Sequence, residues 1–496
     1  MYYPKIEEFK KISEEGNLIP VYTEILADTE TPVSAYLKLC GPNSFLLESV
    51  MGGEKWARYS FLGVAPEKII RSYGNDVEII TDGKSITKTV PDPIEVLRAE
   101  LSQHVPVKIQ GLPRFYGGLV GYIGYECVRF FESVPVREKP SLDFPDSMFM
   151  LMDTIVIFDN LRQAIKVVAN ASLIGGKTPE ESYKEATAKI DALVEMLKKP
   201  STSRTLSIAE NLTNVKDSDG FKSSFVEKGQ FLAAVEKSKE YIRAGDAFQI
   251  VVSQRFEADI DIDPFDVYRC LRVINPSPYM FYLNFGDIKI VGSSPEILVR
   301  VEDGKITLRP IAGTRKRGRS SDEDSALEVE LKADPKERAE HIMLVDLGRN
   351  DVGRVAVTGS VKVTELMDVE RYSHVMHIVS NVEGVLREGL DSFDVLRACF
   401  PAGTVTGAPK VRAMEIIDEL EPVMRGPYAG AVGYFGFSGS MDTCITIRTI
   451  LITEGKVYVQ AGAGIVADSV AENEYDETVN KAKGMFRAVN MAKSGY

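Results

Sequence analysis

Between residues 248 and 308 the chain repeats one pattern: short apolar or alternating runs separated by tight-turn dipeptides. The runs are 248–256, 279–285, 288–291, 297–301 and 305–308, and the turns are Gly286-Asp287 and Asp303-Gly304. Side chains alternate across a strand, and two-residue turns rich in glycine and aspartate join antiparallel neighbours. This region therefore predicts antiparallel hairpins rather than a parallel, crossover-connected sheet. Similar runs occur at 21–25, 37–39 and 44–50, and at 151–158 and 165–169 around Asp159-Asn160, which predicts a further hairpin. Helical patterns lie at 4–15, 180–199, 225–244 (ended by Gly245), 335–347 (Asp334 as N-cap, Pro335 in the first turn) and 471–489. The expected class is α/β of the α+β type: large, mostly antiparallel sheets flanked by helices.

The 496 residues are enough for two or three domains. Residues 200–220 are rich in Ser, Thr, Asn and Asp. They divide the chain into an N-terminal domain at 1–200, a linker at 201–222 and a second domain at 223–496. Residues 111–125 combine glycine with aromatic residues (GLPRFYGGLVGYIGY), which predicts close backbone packing beside rings.

Composition excludes several functions. The formal charge of −13 argues against nonspecific nucleic-acid binding. No apolar run is long enough to span a membrane, and the N-terminus lacks the plan of a signal peptide. Five scattered cysteines without a CxxC pair point to a reducing, cytoplasmic setting. Four histidines do not make a His-rich zinc enzyme.

Several segments carry chemical potential. At 400–416, FPAGTVTGAPKVRAMEI places small residues, two threonine hydroxyls and Lys410 before a helix near Pro409. That arrangement serves either as an anion-binding helix start or as a capped helix after a tight turn. Two helices are rich in carboxylates. The first groups Glu337, Glu340 and His341 beside Ile342, Met343 and Val345. The second aligns Glu474, Glu477 and Lys481. Each reads alone as a solvated face. One carboxylate from each would suit Mg²⁺, which prefers oxygen ligands and keeps water or substrate oxygens. The small residues of VQAGAGIV (459–466) permit a close backbone approach or a tight turn. Arg448, in a strand-like run at 444–452, requires a carboxylate from substrate or protein. The basic run TRKRGR (314–319) reads as a solvated loop because acidic residues follow at once.

Together, NPSPYMFYL, GSSPEILVR, RPIAGTR, AEHIMLVDLGRND, GTVTGAPK, YAGAVGY, CITIRT, QAGAGIV and ENEYDETVNKAKG resemble the chorismate-utilising enzymes over nearly the whole chain. The resemblance implies an intertwined N-terminal subdomain. It also implies amination of chorismate at C2 by ammonia, loss of the C4 hydroxyl, and release of pyruvate to give anthranilate. By motif position, Glu340 and Glu477 hold Mg²⁺. Gly313, Thr314, Tyr428, Arg448, Gly462, Ala463 and Gly464 contact chorismate. His377 and Thr404 lie near the ring and its leaving hydroxyl, with Lys481 near a carboxylate. A separate glutaminase subunit is the implied ammonia donor. The LLES stretch with Pro278, Tyr279 and Met280 resembles a tryptophan inhibitory pocket that includes Glu48 and Ser49. Two positions separate the branches of the family. Ala312 stands where aminodeoxychorismate-forming relatives carry a nucleophilic lysine. Gln249 stands where isochorismate- and salicylate-forming relatives carry a lysine that activates water. Alanine cannot attack and glutamine cannot act as a base. The alternatives are those sibling activities, or a catalytically silent protein that binds chorismate or tryptophan.

Overall fold

A computed structural model describes residues 1–49, 58–135, 137–200, 220–372 and 375–493. The linker at 201–222 lies outside the described residues over 201–219, and so do Val50 at the end of one expected strand and His374.

Among the described residues the strands form two twelve-stranded sheets, each built from both halves of the chain. In the first sheet, Leu18–Leu26, Ala164–Ser172, Thr154–Asp159, Tyr59–Val64 and Ser44–Glu48 lead to Tyr279–Phe285. Ile288–Ser294, Thr449–Thr453, Lys456–Ile465 and Gln249–Asp259 then follow. The halves join where Glu48 pairs with Met280. In the second sheet, Ile297–Glu302, Met441–Ile445 and Ala431–Gly436 meet the N-terminal strands Gly118–Ile123, Ser147–Met152 and Lys68–Tyr73. The named strand pairs are antiparallel. The intertwining and the hairpins across Gly286-Asp287 and Asp303-Gly304 are as expected.

Glycine makes the second junction possible. Gly121 faces Gly433 across it. A Cβ on Gly121 would come within 2.0 Å of the Met148 carbonyl oxygen, and one on Gly433 within 2.1 Å of that of Asp442. The glycine–aromatic run is therefore a site of close strand packing.

Four expectations change. The run at 37–39 is the end of a helix, Pro32–Leu39. Thr31 and Ser34 form a capping box there and Pro32 opens the first turn, which outweighs the local strand-like pattern. The run at 151–158 is two strands that part at Asp153 and enter different sheets. The run at 444–452 divides in the same way around Arg448, whose φ is +52°. The TRKRGR segment is not a free loop. It begins within the strand Ile311–Lys316, paired with Val375–Val385. Arg315 bonds Glu330, Asp334 and Glu337, and Arg317 bonds Asp324. Among the described residues no helix is long and apolar enough to cross a membrane.

Candidate active site

A cavity of about 600 Å³ lies where the first sheet meets three other elements. These are the strand Ile311–Lys316, the helix Pro335–Gly353 and the helix Ala471–Lys493. Its walls include Gly313, Thr314, Glu340, His377, Thr404, Tyr428, Arg448, Gly462, Gly464, Glu477 and Lys481. Gln249 and Ala312 line it as well. Ala463 does not. Side chains alternate along Lys456–Ile465, and its methyl is buried in the cluster of Phe225, Ile250 and Ile465.

The glycines of QAGAGIV sit inside that strand rather than in a turn after it. A Cβ on Gly462 would lie 2.9 Å from the Tyr428 hydroxyl, and one on Gly464 2.6 Å from the Gln249 side-chain nitrogen. They make room for neighbouring side chains that shape the cavity wall.

The 400–416 segment contributes less than its composition promised. Thr404 and Val405 line the cavity. The Thr406 hydroxyl is buried and donates to the Ala402 carbonyl. Lys410 forms a 2.8 Å ion pair with Asp351. The helix begins at Lys410, with Pro409 as its N-cap.

Arg448 is the cavity's candidate for holding an anion. Burial holds its pKa below the ordinary arginine value, with Tyr428 and Glu477 opposing the shift. Its guanidinium donates to the Lys481 carbonyl oxygen at 2.7 Å. No ion pair to it is found among the described residues. A half-buried guanidinium that lines a cavity with no carboxylate bound to it is free to take one from a ligand. Its left-handed backbone, shared by Ala429 (φ +62°), is strain of the kind that collects at functional sites.

Lys481 lies 3.0 Å from the Gly462 carbonyl oxygen and 2.7 Å from Glu477. The Gln249 amide donates to Glu340 at 3.0 Å. Glu337 and Glu474 line the same wall, Glu337 being bonded to Arg315 at 3.0 Å. His341 is turned the other way, fully buried and 2.6 Å from the Ser380 hydroxyl, while Ile342 on the supposed apolar face is exposed. The donor set facing the cavity is thus hard oxygen from two helices. It matches Mg²⁺ completed by water or substrate oxygens. Among the described residues no three His, Cys, Asp or Glu side chains form a closed metal cage.

His377 Nδ1 lies 3.0 Å from the Gly313 carbonyl and 3.0 Å from the Thr314 hydroxyl. A carbonyl only accepts, so Nδ1 carries the proton and Nε2 keeps its lone pair. Burial lowers the His377 pKa. The Gly313 bond partly opposes this shift and Arg448 adds to it.

Sequence reasoning missed Glu296. It lines the cavity and is buried. Burial pushes its carboxyl up to about 8, with the Thr404 hydroxyl and Lys481 pulling part of the way back. It is a carboxylic acid near neutral pH, and only its three-dimensional burial reveals this.

The expected inhibitory set is divided. The Glu48 carboxylate accepts from the Tyr268 hydroxyl at 2.5 Å and from Arg272 at 3.1 and 3.2 Å. Met280, its strand partner, is buried in the apolar cluster with Tyr268. Ser49 follows the strand, half-buried. The next residue along from Met280, Tyr279, points to the opposite face of the sheet. Its hydroxyl donates to Asp442 at 2.9 Å, and with Pro278 it lines a separate cavity of about 930 Å³.

Comparison with known proteins agrees with this architecture. The family described as chorismate binding enzyme matches residues 43–487. Anthranilate synthase component 1 of Pseudomonas putida is 51% identical over 493 residues, covering 98% of each chain. That of Aquifex aeolicus is 51% identical over 490 residues, again covering 98% of each. The crystal structure of anthranilate synthase component I from Streptococcus pneumoniae superposes with a TM-score of 0.75 at 39% identity, covering 93% of this chain and 99% of that one. The menaquinone-specific isochorismate synthase of Escherichia coli shares the fold alone, with a TM-score of 0.69 at 18% identity over 98% of each chain. Matched over most of its length by this family and nearly end to end by these relatives, the chain belongs to the chorismate binding enzymes.

Proposed function

We propose that the chain is the chorismate-converting component of an anthranilate synthase, a cytoplasmic lyase that adds ammonia to chorismate and releases pyruvate. The observation that carries this reading is one cavity holding a half-buried Arg448 with no ion pair among the described residues, together with the carboxylates of Glu340 and Glu477. Chorismate is a dicarboxylate. Arg448 takes one carboxylate in charge-assisted hydrogen bonds. Glu340 and Glu477 would hold Mg²⁺, which would supply positive charge to balance a substrate carboxylate and the charge that develops as the C4 hydroxyl departs. Lys481 holds Glu477 in place through their ion pair, and the Gln249 amide does the same for Glu340.

Glu296, protonated near neutrality, supplies the proton that turns the departing C4 hydroxyl into water. Thr404, whose buried hydroxyl faces Glu296, and the neutral Nε2 of His377 orient that hydroxyl. Gln249 cannot activate water and Ala312 cannot attack the ring, so ammonia is the nucleophile at C2. Loss of pyruvate then aromatises the ring. The ammonia comes from a partner glutaminase subunit, which an ammonium salt replaces in a test. Chromatography of quenched reactions tests product identity: anthranilate supports the reading, and isochorismate, salicylate or aminodeoxychorismate refutes it.

L-Tryptophan is proposed as a feedback inhibitor whose ammonium group meets Glu48. That carboxylate is already held by Tyr268 and Arg272, so it is pre-oriented for a cation. Glu48→Gln is expected to raise the half-inhibitory tryptophan concentration at least about tenfold, the loss of one buried charge-assisted bond. Unchanged inhibition in that variant would place the effector elsewhere.

A further inference from the structure

The glycine–aromatic run of the N-terminal half ends in Gly124-Tyr125, and with Glu126, the next residue, it holds the segment that carries Tyr428 into the cavity. The Glu126 carboxylate is buried and accepts the backbone N–H of Arg425 at 2.7 Å and that of Gly426 at 2.9 Å. The Tyr125 N–H donates to the Gly426 carbonyl at 2.8 Å. Packing around this latch leaves no slack. A Cβ on Gly430 would lie 2.1 Å from the Ile123 carbonyl oxygen.

Arg425, only 2% exposed, then reaches three ways. It forms two bonds to Glu421, at 2.9 and 2.7 Å. It donates to the carbonyl of Val405, in the Thr404 loop, at 2.7 Å, and to that of Val251, two residues past Gln249, at 2.8 Å. Its guanidinium lies 4.7 Å from the Tyr125 ring centre and 5.5 Å from that of Tyr428. Glu421 also takes the Ser253 N–H and hydroxyl, at 2.7 and 2.8 Å. Val251, Val405 and Tyr428 all line the cavity.

We propose that Arg425, clamped by Glu126 of the N-terminal half, is a positioning residue that fixes the Gln249 strand, the Thr404 loop and Tyr428 relative to one another for the reaction. The arrangement is specific to a planar five-donor fork, since the bonds run in fixed directions to separate elements. The inference rests on the cavity being the chorismate site.

The test uses the full chain with chorismate, Mg²⁺ and an ammonium salt. Glu126→Gln keeps the side chain's shape and leaves the Arg425 guanidinium bonds alone. It replaces one accepting oxygen by a donor facing a backbone N–H. We expect kcat to fall about tenfold with KM for chorismate changed less than about threefold, because sub-ångström misplacement of a reacting geometry costs rate before affinity. Arg425→Lys should lose more rate than Glu126→Gln. If it does not fold, Glu126→Gln alone decides. A lower melting temperature with kcat unaltered, or a raised KM alone, would overturn the proposal and leave the cluster as scaffold. Failure of the unaltered chain to turn chorismate over would instead refute the assignment of the cavity.

Discussion

Glu340→Gln is expected to lower chorismate turnover by at least about a thousandfold, equivalent to about 4 kcal/mol of transition-state stabilisation. Glu340 projects into the cavity from the helix Pro335–Gly353 and is oriented by the Gln249 amide at 3.0 Å. Glutamine preserves volume and removes the charge that a hard cation requires. The fold should therefore survive while Mg²⁺ affinity falls. Initial rates in ammonium salt across a Mg²⁺ titration separate these effects. Glu337 lines the same wall but is bonded to Arg315, so Glu337→Gln should cost far less. Retention of more than a tenth of the rate in Glu340→Gln would contradict its role as a metal ligand.

Glu296→Gln is expected to lower kcat by about 10²–10⁴, the usual contribution of a positioned general acid. The sign of its pH dependence follows from the shift. Burial raises the carboxyl to about 8, so it holds its proton below that pH and gives it up above. The acid form is the competent one. At a fixed concentration of free ammonia, the rate should fall as pH rises through about 8, and that limb should vanish in the glutamine variant. The ammonium concentration must be adjusted at each pH, since free ammonia itself increases with pH. A variant with undiminished kcat, or with the same alkaline limb, would assign the proton to another group.

Much of this organisation was legible in the residues, for physical reasons. Hairpins announce themselves because a half-buried strand must alternate and a tight turn needs glycine or aspartate, as at Gly286-Asp287 and Asp303-Gly304. The helix beginning at Pro335 was visible through Asp334, whose carboxylate accepts two backbone N–H groups there. Sheet exchange was not visible. At Asp153 and around Arg448 the apolar pattern continues while the chain passes from one sheet to the other, and periodicity carries no label for the sheet a strand joins. The strand Lys362–Arg371 was hidden because most of it is exposed and polar, on a hairpin outside the main strand order. The hairpins of Lys68–Thr89 and the helix Pro264–Ile274 went unread although Gly74-Asn75, Asp82-Gly83 and Asp263-Pro264 mark them.

Within the site, motif position brought Arg448, Glu340, Glu477 and His377 to one cavity. It also named Ala463, whose side chain the strand alternation turns into the core. Glu296 and Arg425 escaped notice for a common reason. A single acid after a proline, or a single arginine before a glycine, is unremarkable in sequence. Its chemistry comes from burial and from partners more than a hundred residues away.

The most direct test is fluorescence of the purified chain with chorismate, an ammonium salt and Mg²⁺, with and without EDTA. Anthranilate emission that appears only when ammonia and Mg²⁺ are both present is the predicted result. Chorismate left unconsumed under those conditions, or anthranilate formed equally in EDTA, would contradict the account.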